Sequence, residues 1–373
     1  MCGQIELTAT NRYTELDNIL LESRENTIFL VCGNSIKYQK GLYQYFSTLY
    51  DRIGVRVERF SDFQPNPLYE SVVDGVRKFK ASGCNTIIAV GGGSTMDVAK
   101  CIKLYSGMNS SENYLHQTLV ANDVKLVAIP TTAGSGSEAT RFAVIYYKGV
   151  KQSINDSSII PSVVLFAPET LNTLSDYQKK ATLLDALSHV IESFWSVNST
   201  DESKEYSKQA IHLILNNMKG YIAGDDSRNA DMIKAAYYAG KAINITQTTA
   251  GHAMCYKLTS LYGIAHGHAA ALVNIKLWPW MTENTKKCID PRGEQYLRDT
   301  FDELSKEMGC KTVDQAILLF QKIFDKLGLE VPEAKQSDFK ILDTSVNLER
   351  LKNNPVRLDA NSIDYLYHRI LAR

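Results

Sequence analysis

The first half of the chain alternates short, β-rich apolar runs with segments of helical periodicity, and this alternation constrains the fold more than any other feature. The apolar runs are TIFLV at 27–31, VRVERF at 55–60, TIIAV at 86–90, KLVAIP at 125–130 and SVVLF at 162–166. Nearly continuous apolar strands separated by helices are typical of a parallel sheet that is covered by helices on both faces. The sequence therefore predicts an α/β domain.

The alternation stops after about residue 175. From SDYQKKATLLDALSHVIESFW to the C-terminal SIDYLYHRILAR, the pattern indicates successive helices without a convincing strand. A chain of 373 residues also exceeds what one hydrophobic core usually serves. We therefore expect two domains, an α/β domain over 1–174 and an all-helical domain over 175–373.

Charge and cysteine content indicate what kind of partner the protein binds and in which cellular compartment it is found. Lys plus Arg and Asp plus Glu both number 41, and no dense basic cluster favours nucleic acid, so a small-molecule partner is expected. Seven scattered cysteines without a C-x-x-C pair are typical of reduced thiols. Because the N-terminus lacks an apolar signal region and no stretch is long enough for a membrane span, we expect a cytoplasmic protein with no membrane partner.

A carboxylate and an imidazole four residues apart suggest a metal site on a helix. In ATLLDALSHVIESFWS, Asp185 and His189 would leave the same helix face about one turn apart, where one ion can reach both. The alternative is a solvated or structural pair, which such a motif forms often when it stands alone.

Two further histidines would complete the site. His252 and His266 are separated by fourteen residues, which would place them roughly 21 Å apart on one straight helix at about 1.5 Å per residue, so the chain must turn. Tyr262-Gly263 is the expected break, with His252 closing one helix and His266 opening the next. One carboxylate with three imidazoles suits Zn(II) or Fe(II) better than Mg or Ca. Core or capping roles are the alternative, and His268, two residues on, would point away from the same ion.

A glycine-rich loop directly follows the TIIAV run. In GGGSTMDVAK, Gly91–Gly93 would let the backbone turn sharply, and the next helix would present free N–H groups to a pyrophosphate. Ser94 and Asp97 also fit a capping pair, a purely structural role. The loop lacks the G-x-G-x-x-G pattern and follows the third predicted strand, which disfavours an ordinary dinucleotide-binding unit.

A second loop, PTTAGSGSEATRF at 130–142, ends the next strand. Open parallel sheets bind ligands at the carboxyl ends of their strands. Hydroxyl groups there would donate hydrogen bonds to cofactor phosphate, ribose or carboxamide; they belong to Thr131, Thr132, Ser135 and Ser137. An ordinary turn is the alternative for this loop taken alone.

Together these motifs resemble those of the iron-containing, or group III, alcohol dehydrogenases. The resemblance rests on GGGSTMDVAK, PTTAGSGSEAT, the D-x-x-x-H at 185–189, and GHAM followed by YGIAHGHA, and it runs from FQPNP at 63–67 to NPVR at 354–357. It implies an α/β N-terminal domain with a parallel sheet (Rossmann-like, dehydroquinate-synthase-like), an all-α C-terminal domain, and an active-site cleft between them.

The resemblance also implies the cofactors, Fe(II) or Zn(II) with NADP or NAD. It assigns four residues to the metal, namely Asp185, His189, His252 and His266. The residues expected to contact the nucleotide are Ser61, Asn66, Gly91, Gly92, Gly93, Ser94, Asp97, Thr131, Thr132, Ser135 and Lys151. A homodimer is common in such enzymes and is expected here.

Within the family, several runs are most similar to the phosphonoacetaldehyde reductases of phosphonate biosynthesis. They include SEATRFAVIYYKGVKQSI and ESFWSVNSTDESKEYSKQAI. Arg141, beside the second loop, and Lys257, beside the His252 segment, would pair with a phosphonate dianion. Surface salt bridging or cofactor contact is the alternative for both side chains.

The chain departs from the family at two places. Many members carry a proton-relay histidine four residues after the third ligand, where this chain has Tyr256, so Tyr256 either relays protons or only shapes the pocket. After the second predicted strand, NAD-specific members carry a carboxylate that binds the adenosine ribose. If Ser61 takes that place, a 2′-phosphate would be tolerated and could pair with Arg59, which favours NADPH. If a register shift brings Asp62 there instead, NADH is favoured.

The expected reaction is reversible reduction of a small aldehyde to a primary alcohol by NAD(P)H, with His252 and Tyr256 at the reacting centre. Alternatives are a polyol or glycerol dehydrogenase, another short-chain alcohol dehydrogenase, or a dehydroquinate-synthase-like lyase. A nucleotide-binding sensor that has lost catalysis is the non-enzymatic alternative.

Overall fold

A computed structural model describes the chain as two compact units. The residues that it describes are 3–10, 12–23, 25–346 and 351–372. The first unit extends to Thr132 and resumes at Gly136–Leu174, and the second comprises Ala133–Ser135 and the chain from Ser175 onward. The single boundary expected after residue 174 did not include the short excursion of residues 133–135.

The first unit is built on a six-stranded parallel sheet. The strands are β1 (Ile5–Thr8), β2 (Thr27–Cys32), β3 (Arg56–Phe60), β4 (Thr86–Gly91), β5 (Lys125–Pro130) and β8 (Val163–Phe166). Their spatial order is β1-β8-β5-β4-β2-β3. All five predicted runs form strands. Four of them, β2, β4, β5 and β8, are almost wholly buried because their side chains are apolar on both faces, whereas β3 lies at the sheet edge and is mostly exposed. The prediction of a parallel α/β sheet is therefore confirmed.

Three strands were missed. The edge strand β1 pairs with β8 and, over the residues that the structure describes, with no other strand; its IELT sequence is mostly exposed, so no apolar run marks it. An antiparallel hairpin, β6 (Phe142–Tyr147) and β7 (Val150–Asn155), turns through Lys148 and Gly149, both with positive φ. Because β1 precedes the predicted strands, the first glycine loop follows the fourth strand in chain order, and the expected third place was wrong.

Five α-helices belong to the described part of this unit. They are α1 (Thr14–Ser23), α2 (Lys40–Ser47), α3 (Leu49–Ile53), α4 (Tyr69–Ser82) and α5 (Gly93–Ser106). One core cluster joins side chains from the central strands, such as Leu30, Ile88 and Val127, to Leu16 of α1 and Leu42 of α2. Burial of these apolar side chains is the main stabilising contribution. The sheet thereby holds its carboxyl-end loops on a rigid support.

The second unit is largely helical over its described residues, as predicted. Its helices are α6 (Asp176–Trp195), α7 (Asp201–Ile222), α8 (Asn229–Thr246), α9 (Ala250–Tyr262), α10 (His266–Glu283), α11 (Glu294–Glu307), α12 (Val313–Leu327), α13 (Gln336–Ser345) and α14 (Ala360–Ile370). Trp195 of α6 and Trp278 of α10 pack edge to face in its interior, with ring centroids 5.5 Å apart. This packing fixes α10 against α6.

Two expectations from composition can be compared with the described residues. The six described cysteines are free thiols, as predicted, and Cys2 lies outside the described residues. Among the residues that the structure covers, none of the helices combines the length and the apolar character that crossing a bilayer requires.

Candidate functional site

Helix α6 supplies the first two candidate metal ligands. It begins with a capping box in which Ser175 and Gln178 each accept a hydrogen bond from the other's backbone N–H. Ten residues beyond that cap, Asp185 is 6% exposed, and His189, one turn later, is 5% exposed. The helix therefore presents a carboxylate and an imidazole on one buried face.

Helices α9 and α10 supply the two other histidines. The predicted break is confirmed, since α9 ends at Tyr262, Gly263 follows with φ 68°, and His266 is the first residue of α10. His252 is the third residue of α9, however, and the expectation that it closes a helix was wrong. The preceding helix already ends at Thr246, where Gln247 takes a φ of 59°, so the helix that carries His252 starts only after that turn.

Three of the four predicted ligands form one buried cluster. Asp185, His189 and His252 each offer a donor atom, and these atoms lie within 4.8 Å of one another. The rings of His189 and His252 stack with centroids 4.4 Å apart. Asp185 Oδ1, His189 Nδ1 and His252 Nε2 are all buried without a hydrogen-bond partner. Buried polar atoms normally have partners, so this cluster of orphaned oxygen and nitrogen donors fits a Zn(II) or Fe(II) ion.

His266 lies beside this cluster. Its ring centroid is 5.2 Å from that of His252 in an edge-to-face contact, and the ring stacks on that of Tyr256, also at 5.2 Å. The Cys255 thiol is 3.5 Å from His266 Nδ1. The fold thus brings the fourth predicted ligand next to the other three, although its nitrogens are not within the 4.8 Å group.

The electrostatics of the cluster suit metal binding. Burial would raise the pKa of Asp185, but the neighbouring His189 and His252 lower that pKa below its usual range. Burial lowers the pKa of His189 to about 4, despite the adjacent Asp185. Burial would also lower the pKa of His252, but the negative charge of Glu192, with Asp185, raises it to about 9. Near neutral pH, Asp185 is an anion and His189 a neutral imidazole, the forms that ligate metals, whereas His252 must lose one proton when it binds the ion.

Sequence reasoning missed Glu192, which lies on α6 three residues after His189. It is fully buried, and its Oε1 is 2.6 Å from His252 Nδ1. Burial would raise its pKa, but His252 and several hydrogen bonds lower that pKa instead. The available signal was a glutamate seven residues after Asp185, on the same helix face as the ligand pair.

His268 lies apart from the cluster, in keeping with its exclusion from the predicted ligands. Its Nδ1 is 3.3 Å from the Tyr177 hydroxyl, and its ring packs against Phe324. It lines a separate pocket of about 650 Å³ with Tyr262 and residues 328–333. His268 therefore lies in a different part of the helical unit from the candidate metal ligands.

The first glycine loop leads into helix α5 as predicted. Gly92 is the N-cap, and a Cβ at Gly91 would fall 2.2 Å from Thr95 Oγ1. The capping pair considered for Ser94 and Asp97 is not formed, because no side chain caps α5. Ser94 Oγ instead lies 3.4 Å from the backbone nitrogen of Asn66, which brings two predicted nucleotide contacts together.

The second glycine loop lies beside the first. Gly91 and Pro130 are in register on neighbouring strands, and the Thr131 N–H donates to the Gly91 carbonyl at 3.1 Å. A Cβ at Gly92 would fall 3.0 Å from Thr132 Cγ2. Thr131 and Thr132 therefore adjoin the predicted phosphate loop, whereas Ser135 belongs to the excursion that packs with the helical unit.

A buried lysine that was not predicted ties the second loop to α5. Lys100 Nζ donates to the Ser137 carbonyl at 2.5 Å, to the Phe142 carbonyl at 2.8 Å and to the Thr140 hydroxyl at 3.1 Å. Asp97 joins the same network by accepting a hydrogen bond from the Ser137 hydroxyl at 3.0 Å. Asp97, predicted to contact the nucleotide, thus braces the loop that follows β5.

The candidate ribose-binding positions follow β3. Ser61 is the first residue after the strand, and Arg59 is exposed near its end. The Arg59 guanidinium donates to the Gly33 carbonyl and to Asn34 Oδ1, both at 3.2 Å, at the carboxyl end of β2. Asp62 pairs with Lys78. Arg59 is therefore held at the strand ends, and the carboxylate of Asp62 already has a cationic partner.

The remaining predicted residues fall in separate places. Arg141 directly precedes β6, with its guanidinium carbon 5.3 Å from the Phe142 ring centroid. Lys151 lies on β7 opposite Tyr146, and its charge helps to lower the pKa of the buried Asp97, which burial raises overall. Lys257 lies on α9 next to Tyr256 and is half-buried. Arg141 and Lys151 thus belong to the first unit, and Lys257 and Tyr256 to the second.

Family models match almost the whole chain. Residues 7–168 match the model described as iron-containing alcohol dehydrogenase, and residues 179–371 match that of the Fe-containing alcohol dehydrogenase family, C-terminal. The two matches fall on the α/β and the helical unit, respectively.

Individual proteins similar to this chain are also alcohol dehydrogenases or aldehyde reductases. A phosphonoacetaldehyde reductase of Streptomyces viridochromogenes is 32% identical over 312 residues, which cover 80% of this chain and 79% of that protein. Alcohol dehydrogenase 4 of Schizosaccharomyces pombe is 28% identical over 346 residues, 87% of this chain and 77% of that protein. The crystal structure of a sulfoacetaldehyde reductase from Bifidobacterium kashiwanohense in complex with NAD+ matches with a TM-score of 0.87 at 24% sequence identity. The match covers 100% of this chain and 98% of that one, so the two share the same fold.

Proposed function

Because the chain belongs to the iron-containing alcohol dehydrogenase family, we propose that it reduces phosphonoacetaldehyde to 2-hydroxyethylphosphonate with NADH or NADPH. The observation that carries the metal-dependent reduction is the buried cluster of Asp185, His189 and His252 with its orphaned donor atoms. The substrate is inferred from the 32% identity to the reductase of that name.

The residues of the chain would bind the metal and the cofactor and supply a proton. When bound, the metal would act as a Lewis acid toward the carbonyl oxygen, and the reduced nicotinamide would supply the hydride. Asp185, His189 and His252 would hold the ion, with His266 as the fourth ligand. The Tyr256 hydroxyl is the candidate proton donor from the protein, beside a ribose hydroxyl or water. The glycine loop that follows β4 would hold the pyrophosphate, and the one that follows β5 would hold the nicotinamide ribose.

Removal of one ligand tests the metal assignment. His252→Ala takes away the Nε2 donor and leaves Glu192 without its imidazole partner, so bound metal and turnover should fall together. Metal content is measured on purified protein after reconstitution with Fe(II) or Zn(II), beside the rate of NADH and NADPH oxidation. A folded variant with full metal content and full rate would contradict the assignment.

Comparison of substrates tests the reaction itself. The ratio of kcat/KM for phosphonoacetaldehyde to that for uncharged aldehydes of similar length should be at least about tenfold, since a charge-assisted contact contributes more than about 1.4 kcal/mol. Arg141→Gln or Lys257→Gln should remove this preference, whereas Arg77→Gln, which alters an exposed arginine of α4, should leave it. A wild-type ratio near one would exclude the phosphonate as the recognised group, and a high ratio that is equal in all four proteins would exclude Arg141 and Lys257 as its partners.

A short, uncharged alcohol is the second candidate substrate. It is favoured by a methanol dehydrogenase of Bacillus methanolicus that is 32% identical over 253 residues, 64% of this chain. The same set of assays distinguishes the two substrates, because this candidate requires higher kcat/KM for uncharged aldehydes and no effect of neutralising Arg141 or Lys257.

A further inference from the structure

Glu192 carries an unusually complete set of hydrogen bonds for a fully buried carboxylate. Its Oε1 is 2.6 Å from His252 Nδ1 and accepts from Asn274 Nδ2 at 2.9 Å. Its Oε2 accepts from the Thr249 backbone N–H at 2.7 Å, from the Thr249 hydroxyl at 2.9 Å and from the His252 backbone N–H at 3.3 Å. A buried charge is tolerated only when it is so compensated.

The partners of Glu192 define the direction of these hydrogen bonds. Backbone N–H groups and the Asn274 amide nitrogen can only donate. Thr249 Oγ1 accepts from Trp195 Nε1 at 3.0 Å, so its own proton is available to Glu192. With four donors already directed at it, the carboxylate acts purely as an acceptor, and His252 Nδ1 must donate. In its neutral form, which ligation requires, the imidazole therefore carries its single proton on Nδ1 and leaves the Nε2 lone pair free.

The free nitrogen faces the metal cluster. His252 Nε2 lies 3.5 Å from Asp185 Oδ1 and has no hydrogen-bond partner. Ligating histidines commonly donate their second ring N–H to a carboxylate, which fixes ring orientation and tautomer. The geometry at Glu192 matches that arrangement, with the carboxylate on α6 and the histidine on α9.

Glu192 also holds the backbone that carries the ring. Its Oε2 receives the N–H groups of Thr249 and His252, at the N-terminus of α9, where a negative charge is stabilising. Gly251 makes this approach feasible, since a Cβ there would lie 2.3 Å from Glu192 Oε1 and 2.1 Å from Asn274 Oδ1. One side chain thus fixes both the position of the first turn of α9 and the rotation of the imidazole.

We propose that Glu192 is a positioning residue for the metal centre, which aligns His252 so that its Nε2 can ligate. The proposal rests on the metal site proposed above and assigns a role to a residue outside the ligand set. A purely structural role, capping α9, would predict a loss of stability without a specific effect on the metal.

Glu192→Gln separates these two roles while keeping the size of the side chain. If the amide oxygen faces His252, the amide NH2 meets the Thr249 N–H, and two donors oppose each other. If the amide is flipped, its NH2 faces His252 Nδ1 and places the histidine proton on Nε2, where it blocks ligation. Both orientations should weaken metal binding, by about 10–100-fold for the loss of such a partner.

The test compares Co(II) affinity and the Co(II) visible absorption spectrum in the full-length wild type, Glu192→Gln and a matched control, Thr249→Val. The control removes a hydroxyl donor from the same carboxylate and leaves the His252 contact. We expect about 10–100-fold weaker binding and a changed spectrum for Glu192→Gln. For Thr249→Val we expect a lower Tm with Co(II) affinity within about threefold of wild type.

Three outcomes would overturn the positioning role. Glu192→Gln with wild-type affinity and spectrum would do so, and so would Thr249→Val weakening Co(II) binding as much as Glu192→Gln. Should Glu192→Gln fail to fold, Asn274→Ala decides, because removal of one donor from Oε1 should weaken Co(II) binding in the same direction, and unchanged affinity would count against the role. A folded wild type that binds no Co(II) would instead overturn the proposed metal-dependent function as a whole.

Discussion

Gly267 lies directly against Asp185. A Cβ at position 267 would fall 2.4 Å from the Asp185 Cβ and 2.1 Å from the carbonyl oxygen of Ala181. Since Cβ contacts this short do not occur, only glycine lets the first turn of α10 approach α6 this closely. The glycine that follows His266 thereby determines how near that histidine comes to the Asp185 carboxylate.

Gly267→Ala should therefore disrupt the metal centre. The added methyl group meets backbone atoms, which cannot rotate away, so α10 must shift and carry His266 with it. We expect a large loss of bound metal and a lower Tm, with a destabilisation of about 1–3 kcal/mol for overpacking a buried site. Metal content per chain after reconstitution is the measurement.

Gly220→Ala is the matched control. That glycine is also helical, and its Cβ would meet side-chain atoms instead of backbone, namely Arg228 Cγ at 3.0 Å and Asp225 Oδ2 at 3.4 Å. It should keep its metal and gain slightly in stability from the higher helix propensity of alanine. Equal metal content in the two variants would contradict the steric argument.

Sequence patterns were sufficient for the strands that are buried on both faces and for the Asp185–His189 pair, because periodicity and spacing are local properties. They did not reveal β1, whose residues are exposed, or the start of α9, which depends on the positive φ of Gln247. Glu192 was missed for a different reason. A glutamate in a helix normally faces solvent, and its burial follows only from the approach of α9 and α10.

The glycines beside His252 and His266 also have a role that sequence patterns did not reveal. Gly251 and Gly267 were part of recognisable motifs, but the reason for each is a neighbour more than ten residues away in sequence, Asn274 in one case and Asp185 in the other. Lys100 is comparable, since a lysine in a helix gives no signal that its ammonium will be surrounded by carbonyl and hydroxyl oxygens. Such contacts become visible only when the tertiary structure is known.

Lys100→Met should weaken nucleotide binding. The substitution keeps the length of the side chain but leaves the Ser137 and Phe142 carbonyls without their ammonium donor, so the segment after the second glycine loop loses its anchor. We expect a destabilisation of about 1–3 kcal/mol and an increase of about tenfold in the Kd for NADH or NADPH, corresponding to about 1.4 kcal/mol. Urea unfolding and nucleotide titration measure the two effects.

Lys103→Met provides a control on the same helix. Lys103 is also buried and donates to the carbonyls of Asn122 at 3.0 Å and Val124 at 2.7 Å, away from the glycine loops. It should lose comparable stability while its nucleotide affinity stays close to that of the wild type. If both variants bind nucleotide equally well, the anchoring role of Lys100 is wrong.

Arg59→Gln should change the preference between the two coenzymes. The guanidinium is held at the strand ends by Gly33 and Asn34, in the region where the sequence places the adenosine ribose. Loss of a charged partner for a 2′-phosphate should raise the KM for NADPH by about tenfold and leave that for NADH almost unchanged. Steady-state kinetics with each coenzyme give the two values.

The control for this substitution lies on the same strand. Arg56→Gln removes an exposed arginine three residues earlier on β3, whose guanidinium lies over the Tyr50 ring. It should not alter the ratio of the two KM values. A parallel rise in both KM values for Arg59→Gln would indicate a structural effect and exclude recognition of the 2′-phosphate.

Glu138 should make the stability of the first unit depend on pH. Burial raises its pKa to about 7 from 4.5, and its Oε1 has no hydrogen-bond partner. Because the folded state binds this proton more tightly than the unfolded state, the stabilisation is complete below about pH 4.5 and is lost as pH rises through about 7. Each unit of pKa difference corresponds to about 1.4 kcal/mol, and the nearby Lys100 offsets part of it, so we expect the wild type to lose about 1–3 kcal/mol of stability.

Glu138→Gln, which is neutral at every pH, should not show this loss, so its stability relative to the wild type should rise as the pH is raised from 5 to 8. Urea unfolding at both pH values measures this difference, with Glu22→Gln, at an exposed position of α1, as the control that should show none. A difference between Glu138→Gln and the wild type that stays constant over this range would mean that Glu138 keeps the same charge in the folded and unfolded protein.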